Sequence, residues 1–282
     1  MLALVRTRRF AQVDVFSAEP VRGNPVAVVV DGEGLDEEEM QRFASWTNLS
    51  ETTFLLPPEA PGADYRVRIF TVDGELPFAG HPTLGSAHAW LEAGGRPRTT
   101  GQIVQECAAG LVRVREEEGR WAFAAPPLTR YEPLDAVTLA RAAAALRIDP
   151  ADVVDASWLV NGPEWIAILL ADAAAVLAVR PDGAVLDGLF VGLVGPAPAG
   201  MAGAPAFEVR GLMGTGQEDP VTGSLNAGLA RWLIDTGRAP ERYVASQGTA
   251  LGRTGRVHVR ADDGEIWVGG DTTTVVAGTV RL

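Results

Sequence analysis

Apolar and polar side chains alternate through residues 10–16 (Phe-Ala-Gln-Val-Asp-Val-Phe) and 65–71, the two-residue period of a strand with one buried face. Residues 25–30, 52–56 and 266–268 are short β-branched or apolar runs, and they predict further strands, as do 207–212 and 256–260. Residues 36–46 carry helical spacing with acids in the first turn, where the helix dipole favours them. Residues 82–92 predict a mostly apolar and therefore buried helix, 139–146 an alanine-rich one, and 221–236 another. Residues 103–115 and 121–124 predict a hairpin over the acidic turn Glu116-Glu117-Glu118-Gly119, and 273–282 a terminal strand. Strands and helices are interspersed without strict alternation, so the pattern predicts an α+β fold with a mixed sheet or barrel.

The pattern occurs twice. The stretch Gly74-Glu-Leu-Pro-Phe-Ala-Gly-His-Pro-Thr-Leu-Gly85 has a variant, Gly216-Gln-Glu-Asp-Pro-Val-Thr-Gly-Ser-Leu-Asn-Ala227, displaced by 142 positions. The same displacement brings Trp90 onto Trp232 and the strand beginning at Tyr65 onto that beginning at Phe207. Asn161-Gly-Pro163 before an apolar strand parallels Gly23-Asn-Pro25 in the first half. Each half reads as strand, glycine-containing loop, and helix beginning at a proline. The proline-rich, aperiodic segment 125–133 is the natural boundary, giving an N-terminal domain 1–125, completed by strand 273–282, and a C-terminal domain 126–272. Two similar domains facing a common cleft, with two helix starts directed at one ligand, are the expectation.

Composition narrows the chemistry. A net charge of −12 argues against nonspecific nucleic-acid or anionic-membrane binding. All 24 basic residues are arginine, which removes lysine Schiff-base chemistry and the lysine-bearing phosphate loop. Cys107 is the single cysteine; it reads as a small buried hydrophobe, and no mechanism with paired thiols is available. The N-terminus has no secretory apolar region, and the apolar zone 184–207 is interrupted by Asp187, glycines and prolines, so the expected location is cytoplasmic. His81, His88 and His258 show no metal-ligand spacing, so no metal and no cofactor are expected. Gly214-x-Gly216 resembles a dinucleotide loop but lacks its third glycine, where Asp219 stands.

Several residues could carry chemistry, and each has a plainer reading. Asp219 before Pro220 is an ordinary helix start, cap followed by first-turn proline. His81 is a poor cap, so an imidazole between Gly80 and Pro82 beside exposed backbone N–H groups suggests function as readily as structure. Thr222, Gly223 and Ser224 offer N–H groups and hydroxyls to an anion, or simply cap the helix. Glu51 lies at the edge of a buried strand, where desolvation suits a carboxylate to acid–base work, although an isolated glutamate, like Glu75 and Glu218, is more often a solvated loop residue.

Taken together, Asp14-Val-Phe16, Gly23-Asn-Pro-Val-Ala-Val28, Ser50-Glu-Thr-Thr-Phe54, Gly80-His-Pro82 and Asp219-Pro-Val-Thr-Gly-Ser224 resemble the PhzF-like (phenazine biosynthesis-like) isomerase family, in family order from about residue 10 onward. The resemblance implies a diaminopimelate epimerase-like fold: two similar domains, each a mixed sheet or barrel wrapped around a central helix. It also implies Glu51 as the catalytic acid–base and His81, Gly80, Asp219, Gly223 and Ser224 around the substrate. A two-thiol racemase is excluded by this chain's own residues, since no cysteine stands at either helix start. Leu225 and Asn226 replace the small alanines that follow in the phenazine enzyme.

The expected function is a cofactor-independent isomerase or epimerase moving a proton on a small anionic organic acid in the interdomain cleft, working as a homodimer. The alternatives are a small-acid binding protein without turnover, and a nucleotide-dependent enzyme using the Gly214 loop.

Overall fold

A computed structural model describes residues 5–201 and 203–282, which divide into two compact units, 5–124 with 269–282 and 125–268. In the first unit, β1 (Thr7–Val15) pairs antiparallel with β2 (Asn24–Val29). Helix α1 (Glu37–Thr47) leads to β3 (Thr52–Leu56), which is parallel to β2. Strand β4 (Tyr65–Phe70) pairs antiparallel with β3 and with the two-residue β5 (Glu75–Leu76). Helix α2 (Gly80–Glu92) precedes β6 (Gln102–Cys107), parallel to β4, and then β7 (Gly110–Glu117) and β8 (Arg120–Ala124) close a meander. The terminal strand Thr272–Arg281 returns to lie antiparallel to β1.

This order gives the sheet two covered faces. Strand β2 is almost wholly buried, with α2 packed against it and its Val29 in the cluster formed with α1, so its sequence reads as a continuous apolar run and not as an alternation. On the α1 side, Val29, Met40, Phe43, Ala44, Phe54 and Phe70 form one cluster. Helix α1 starts with a reciprocal capping box between Asp36 and Glu39, which satisfies two backbone donors. Helix α2 packs against β1, β2, β3, β6, β8 and the terminal strand, which explains why it is apolar on nearly all sides. Gly85 is required there, since a Cβ would fall 2.3 Å from Val26 Cγ1 and 3.2 Å from Val15 Cγ2.

The second unit repeats the pairing. Strand β9 (Arg130–Pro133) is antiparallel to β10 (Val153–Val160), with α3 (Ala136–Leu146) between them. Strand β11 (Glu164–Leu170) is antiparallel to β10. The short helices α4 (Ala173–Ala178) and α5 (Gly183–Leu186) lead to β12 (Phe190–Pro196), which is parallel to β11. Strand β13 (Phe207–Leu212) is antiparallel to β12 and to β14 (Glu218–Asp219). Helix α6 (Gly223–Asp235) then precedes β15 (Arg242–Gln247), parallel to β13, and β16 (Gly255–Asp262), antiparallel to β15. Strand for strand, β10 to β15 reproduce β1 to β6, and β9 lies beside β10 as the terminal strand lies beside β1. The duplication in the sequence is therefore a duplication of fold.

Several expectations need correction. The segment 125–133 is not featureless, since its last four residues are β9. The predicted hairpin over 103–124 is three strands, because Gly110, at φ 107°, turns the chain between β6 and β7. The apolar zone 184–207 holds α5 and β12. Neither central helix begins at a proline: α2 starts at Gly80, two residues ahead of Pro82, and α6 at Gly223, three residues after Pro220. The loop before β14 is one residue longer than that before β5, so the displacement is 142 at the preceding strands but 143 at the helix starts. The central-helix counterpart of His81 is thus Ser224, and that of Gly85 is Gly228, whose Cβ would stand 3.0 Å from Leu159 Cβ.

Candidate functional site

In the first unit the candidate residues converge where α2 begins. The carboxylate of Asp14, at the end of β1, is buried and accepts from the backbone N–H groups of Arg22 (2.8 Å) and Gly23 (2.9 Å). Gly23 must lack a side chain, since a Cβ would lie 2.1 Å from the Val15 carbonyl oxygen. That clamp delivers Asn24, fully buried, with its amide nitrogen 3.4 Å from Nδ1 of His81. His81 is the second residue of α2 and not a cap: the N-cap is Ala79, whose side chain makes no capping bond. The opposite ring nitrogen, Nε2, lies 3.3 Å from Oε2 of Glu51, whose residue immediately precedes β3. Glu51 is largely buried, with 15% of its side chain exposed.

Burial pushes the His81 imidazole down to about 3, against the smaller opposing effect of a hydrogen bond to the Pro25 backbone. The ring is therefore neutral across the physiological range, and its contact with Glu51 is not an ion pair. Beneath it, Thr83 is tied to Gln105 (2.9 Å), Gln105 to the Tyr65 hydroxyl (2.9 Å), and Ser86 to Thr53 (2.9 Å), so the first turns of α2 are pinned to β3, β4 and β6. The N–H groups of Gly80 and His81 have no acceptor within the helix, and Pro82 contributes none, so the helix start presents two donors and the positive end of its dipole.

The second unit builds the counterpart from different side chains. Asp219 is not the cap of α6; Thr222 is, and Asp219 sits in β14, accepting from the Thr222 hydroxyl at 2.7 Å. Gln247, buried at the end of β15, accepts from Thr222 N–H (3.0 Å) and from the Asn226 amide (2.8 Å), and donates to Thr222 Oγ1 and the Asp219 carbonyl. Asn226 is thus a structural tie, the analogue of Thr83 bonded to Gln105. Ser224 Oγ accepts from the Trp165 indole N–H at 3.0 Å, and its carbonyl accepts from the Asn161 amide at 2.9 Å. An oxygen that already accepts from an indole keeps its own proton for another partner. With the N–H groups of Gly223, Ser224 and Leu225, this helix start can hold an anion.

The structure thus brings Glu51, Gly80 and His81 together in one unit and Asp219, Gly223 and Ser224 in the other. Asn24, Asn161, Trp165 and Gln247 escaped the sequence reading as contributors. The two asparagines had a signal, because each precedes a proline in matching hairpins. Trp165 had none, since its distance in sequence from Ser224 is closed by the fold alone. The Gly214 loop is accounted for by packing: a Cβ on Gly214 would meet the Gly188 backbone at 2.6 Å, and one on Gly216 the Gly183 Cα at 2.4 Å. Among the described residues no group of three or more His, Cys, Asp or Glu could hold a metal ion, and no helix is long and apolar enough to cross a membrane.

The paired, mixed sheets around two central helices define the epimerase-like class of fold. A probable proline racemase from Agrobacterium radiobacter superposes over 98% of this chain and 93% of its own with a TM-score of 0.62 at 16% identity. Within that class the chain belongs to the phenazine biosynthesis-like (PhzC–PhzF) protein family, whose profile matches residues 13–279. A PhzF-family protein from Enterococcus faecalis has a TM-score of 0.82 at 24% identity, covering 98% of this chain and 100% of its own. The trans-2,3-dihydro-3-hydroxyanthranilate isomerase of Pseudomonas aeruginosa is 34% identical over 269 residues, 90% of each chain. Antisense-enhancing sequence 1 of Schizosaccharomyces pombe is 34% identical over 292 aligned positions, 95% of this chain and 97% of the relative. The chain is a PhzF-like isomerase in class.

Proposed function

We propose that this isomerase moves a proton on a small, conjugated carboxylic acid without a cofactor, using Glu51 as its single acid–base. The observation that carries the reading is the asymmetry of the duplicated halves. Ala27 pairs first with Thr52 where β2 meets β3, and Trp165 pairs first with Phe190 where β11 meets β12. Glu51 and Leu189 are therefore equivalent positions. One half carries a carboxylate beside a neutral imidazole, and the other carries a leucine packed into its own core. A racemase that removes a proton on one face and replaces it on the other needs two bases, whereas one base that both removes and returns a proton suits an allylic shift.

In this assignment Glu51 takes a carbon-bound proton, and the charge that develops is stabilised by the N–H groups at the start of α2. His81 orients Glu51. The start of α6, with Gly223 and Ser224, binds the substrate carboxylate, and Asp219 holds Thr222 and hence that helix start in place. Anionic substrate is favoured by two dipole ends despite the net charge of −12. We include in the proposal a homodimer in solution, to be checked by light scattering.

The test is proton exchange. NMR in D2O with trans-2,3-dihydro-3-hydroxyanthranilate and other small unsaturated acids is expected to show deuterium entering carbon-bound positions with the wild type. Glu51→Gln is expected to lower the rate by about 10²-fold or more. Exchange that survives in Glu51→Gln at the wild-type rate would show that another residue is the base.

A further inference from the structure

The hairpin of β10 and β11 takes hold of Ser224 at two points, and the hold on its side chain has a fixed direction. An indole nitrogen donates and cannot accept, so in the 3.0 Å contact between Trp165 Nε1 and Ser224 Oγ the serine oxygen is the acceptor. The serine proton therefore points elsewhere, and among the described residues no acceptor takes it. The carbonyl of the same residue accepts from the Asn161 amide at 2.9 Å, which steadies the backbone that carries the hydroxyl. The indole itself is fixed. Trp165 is 1% exposed, meets the Phe190 ring nearly at right angles with 5.5 Å between centroids, and pairs with Leu159 and Phe190 in the sheet. Were Ser224 to turn to another rotamer, the buried indole N–H would lose its acceptor, which is costly. A rigid donor thus selects one serine rotamer.

We propose that Trp165 is a positioning residue for the substrate carboxylate: it holds the Ser224 hydroxyl with its proton free to donate to an anion at the start of α6, beside the N–H groups of Gly223 and Leu225. A hydroxyl that accepts one hydrogen bond donates a second more strongly, so the indole also strengthens that donation. Trp165 acts through the serine and need not touch the ligand. Its worth to binding therefore exists only while residue 224 carries a hydroxyl.

This inference rests on the reading of the α6 start as the holder of the carboxylate, and not on Glu51 as the acid–base. Its test is a double-mutant cycle read by calorimetric titration with anthranilate, a small conjugated carboxylic acid. Trp165→Phe keeps a ring against Phe190 and deletes the donor. It is expected to weaken binding about three- to tenfold, and Ser224→Ala about tenfold or more. In the Ser224→Ala background Trp165→Phe is expected to cost nothing further, an outcome that a merely structural role for the indole would not produce. An equal loss in both backgrounds overturns the proposal, as does unchanged binding by folded Trp165→Phe. A second measurement needs no change at Trp165. In protein labelled with 15N-tryptophan, one indole N–H signal is expected to move in Ser224→Ala, and in the wild type that same signal is expected to move on addition of anthranilate. A wild type that does not bind anthranilate, or binds it with that signal unmoved, overturns the proposal whether or not the tryptophan variant folds. In the exchange assay Trp165→Phe is expected to raise KM with little change in kcat. Binding without exchange would sink the proposed reaction while leaving the role of Trp165 decided.

Discussion

Arg210 grips Glu218 with two parallel hydrogen bonds, Nε to Oε1 at 3.1 Å and Nη2 to Oε2 at 2.7 Å, and the pair is buried at side-chain exposures of 5% and 9%. Arg68 and Glu75 form the same fork at the equivalent place in the first unit, but with exposures of 24% and 28% and with Glu37 as a second acid for the arginine. Each fork fastens the last strand before a central helix to the short strand that leads into it. The two glutamates that read in sequence as lone carboxylates are thus members of one repeated structural tie.

Their difference in burial predicts a difference in cost. Removing one partner of a buried ion pair leaves an unpaired buried charge, at about 3–5 kcal/mol, whereas a partly exposed pair is worth about 1 kcal/mol or less. Urea unfolding is expected to show Glu218→Ala strongly destabilised and Glu75→Ala mildly so. Equal losses would contradict the burial argument.

Gly85→Ala introduces a methyl into the contact between α2 and β2 where no space exists. Overpacking of this kind costs about 1–3 kcal/mol. Gly228→Ala, with its closest atom at 3.0 Å, is expected to cost less. Thermal unfolding of the two variants checks the order, and its reversal would mean that β2 yields more readily than β10.

His81 is neutral in the folded protein down to about pH 3, while in the unfolded chain it takes a proton near its ordinary value of 6.5. Between those limits the unfolded state binds more protons, so this residue lowers stability as pH falls from about 6.5 toward about 3 and has no such effect above that window. NMR titration is expected to show no charging of His81 between pH 8 and 5. His88, whose burial also depresses it, has both ring nitrogens against threonine hydroxyls of the terminal strand, Thr272 at 2.9 Å and Thr274 at 3.0 Å.

Burial pushes the Cys107 thiol above its usual range, and its sulfur lies 3.5 Å from the Gly110 carbonyl. A thiol-specific disulfide reagent at neutral pH is expected to react slowly with the native protein and promptly after unfolding in guanidinium, since the thiolate is the reactive form. Rapid native modification would show a reactive site at the turn between β6 and β7.

Local patterning was sufficient for the strands β1 to β4 and for the cores of α1, α2 and α6, because each buries a face whose period is written in neighbouring residues. The repeated glycine-containing loops and the matched prolines of the hairpins revealed the duplication, and the absence of lysine and of cysteines at the helix starts excluded whole chemistries. Short strands such as β5, β9 and β14 were not legible, since two to four residues carry no period and exist through their partners. The helix starts were misplaced for a related reason: proline and aspartate are plausible first-turn residues, but β14 claims Asp219 and α6 begins only at Gly223, whereas Gly80 extends α2 backward from Pro82. The contacts of Glu51 with His81, of Asn24 with His81 and of Trp165 with Ser224 join residues 30 to 59 positions apart. No local preference encodes them. They arise because parallel pairing of β2 with β3, and of β11 with β12, brings strand ends beside the start of a central helix, and it is burial at that junction that makes one imidazole neutral and leaves one half of the molecule with an acid where the other has a leucine.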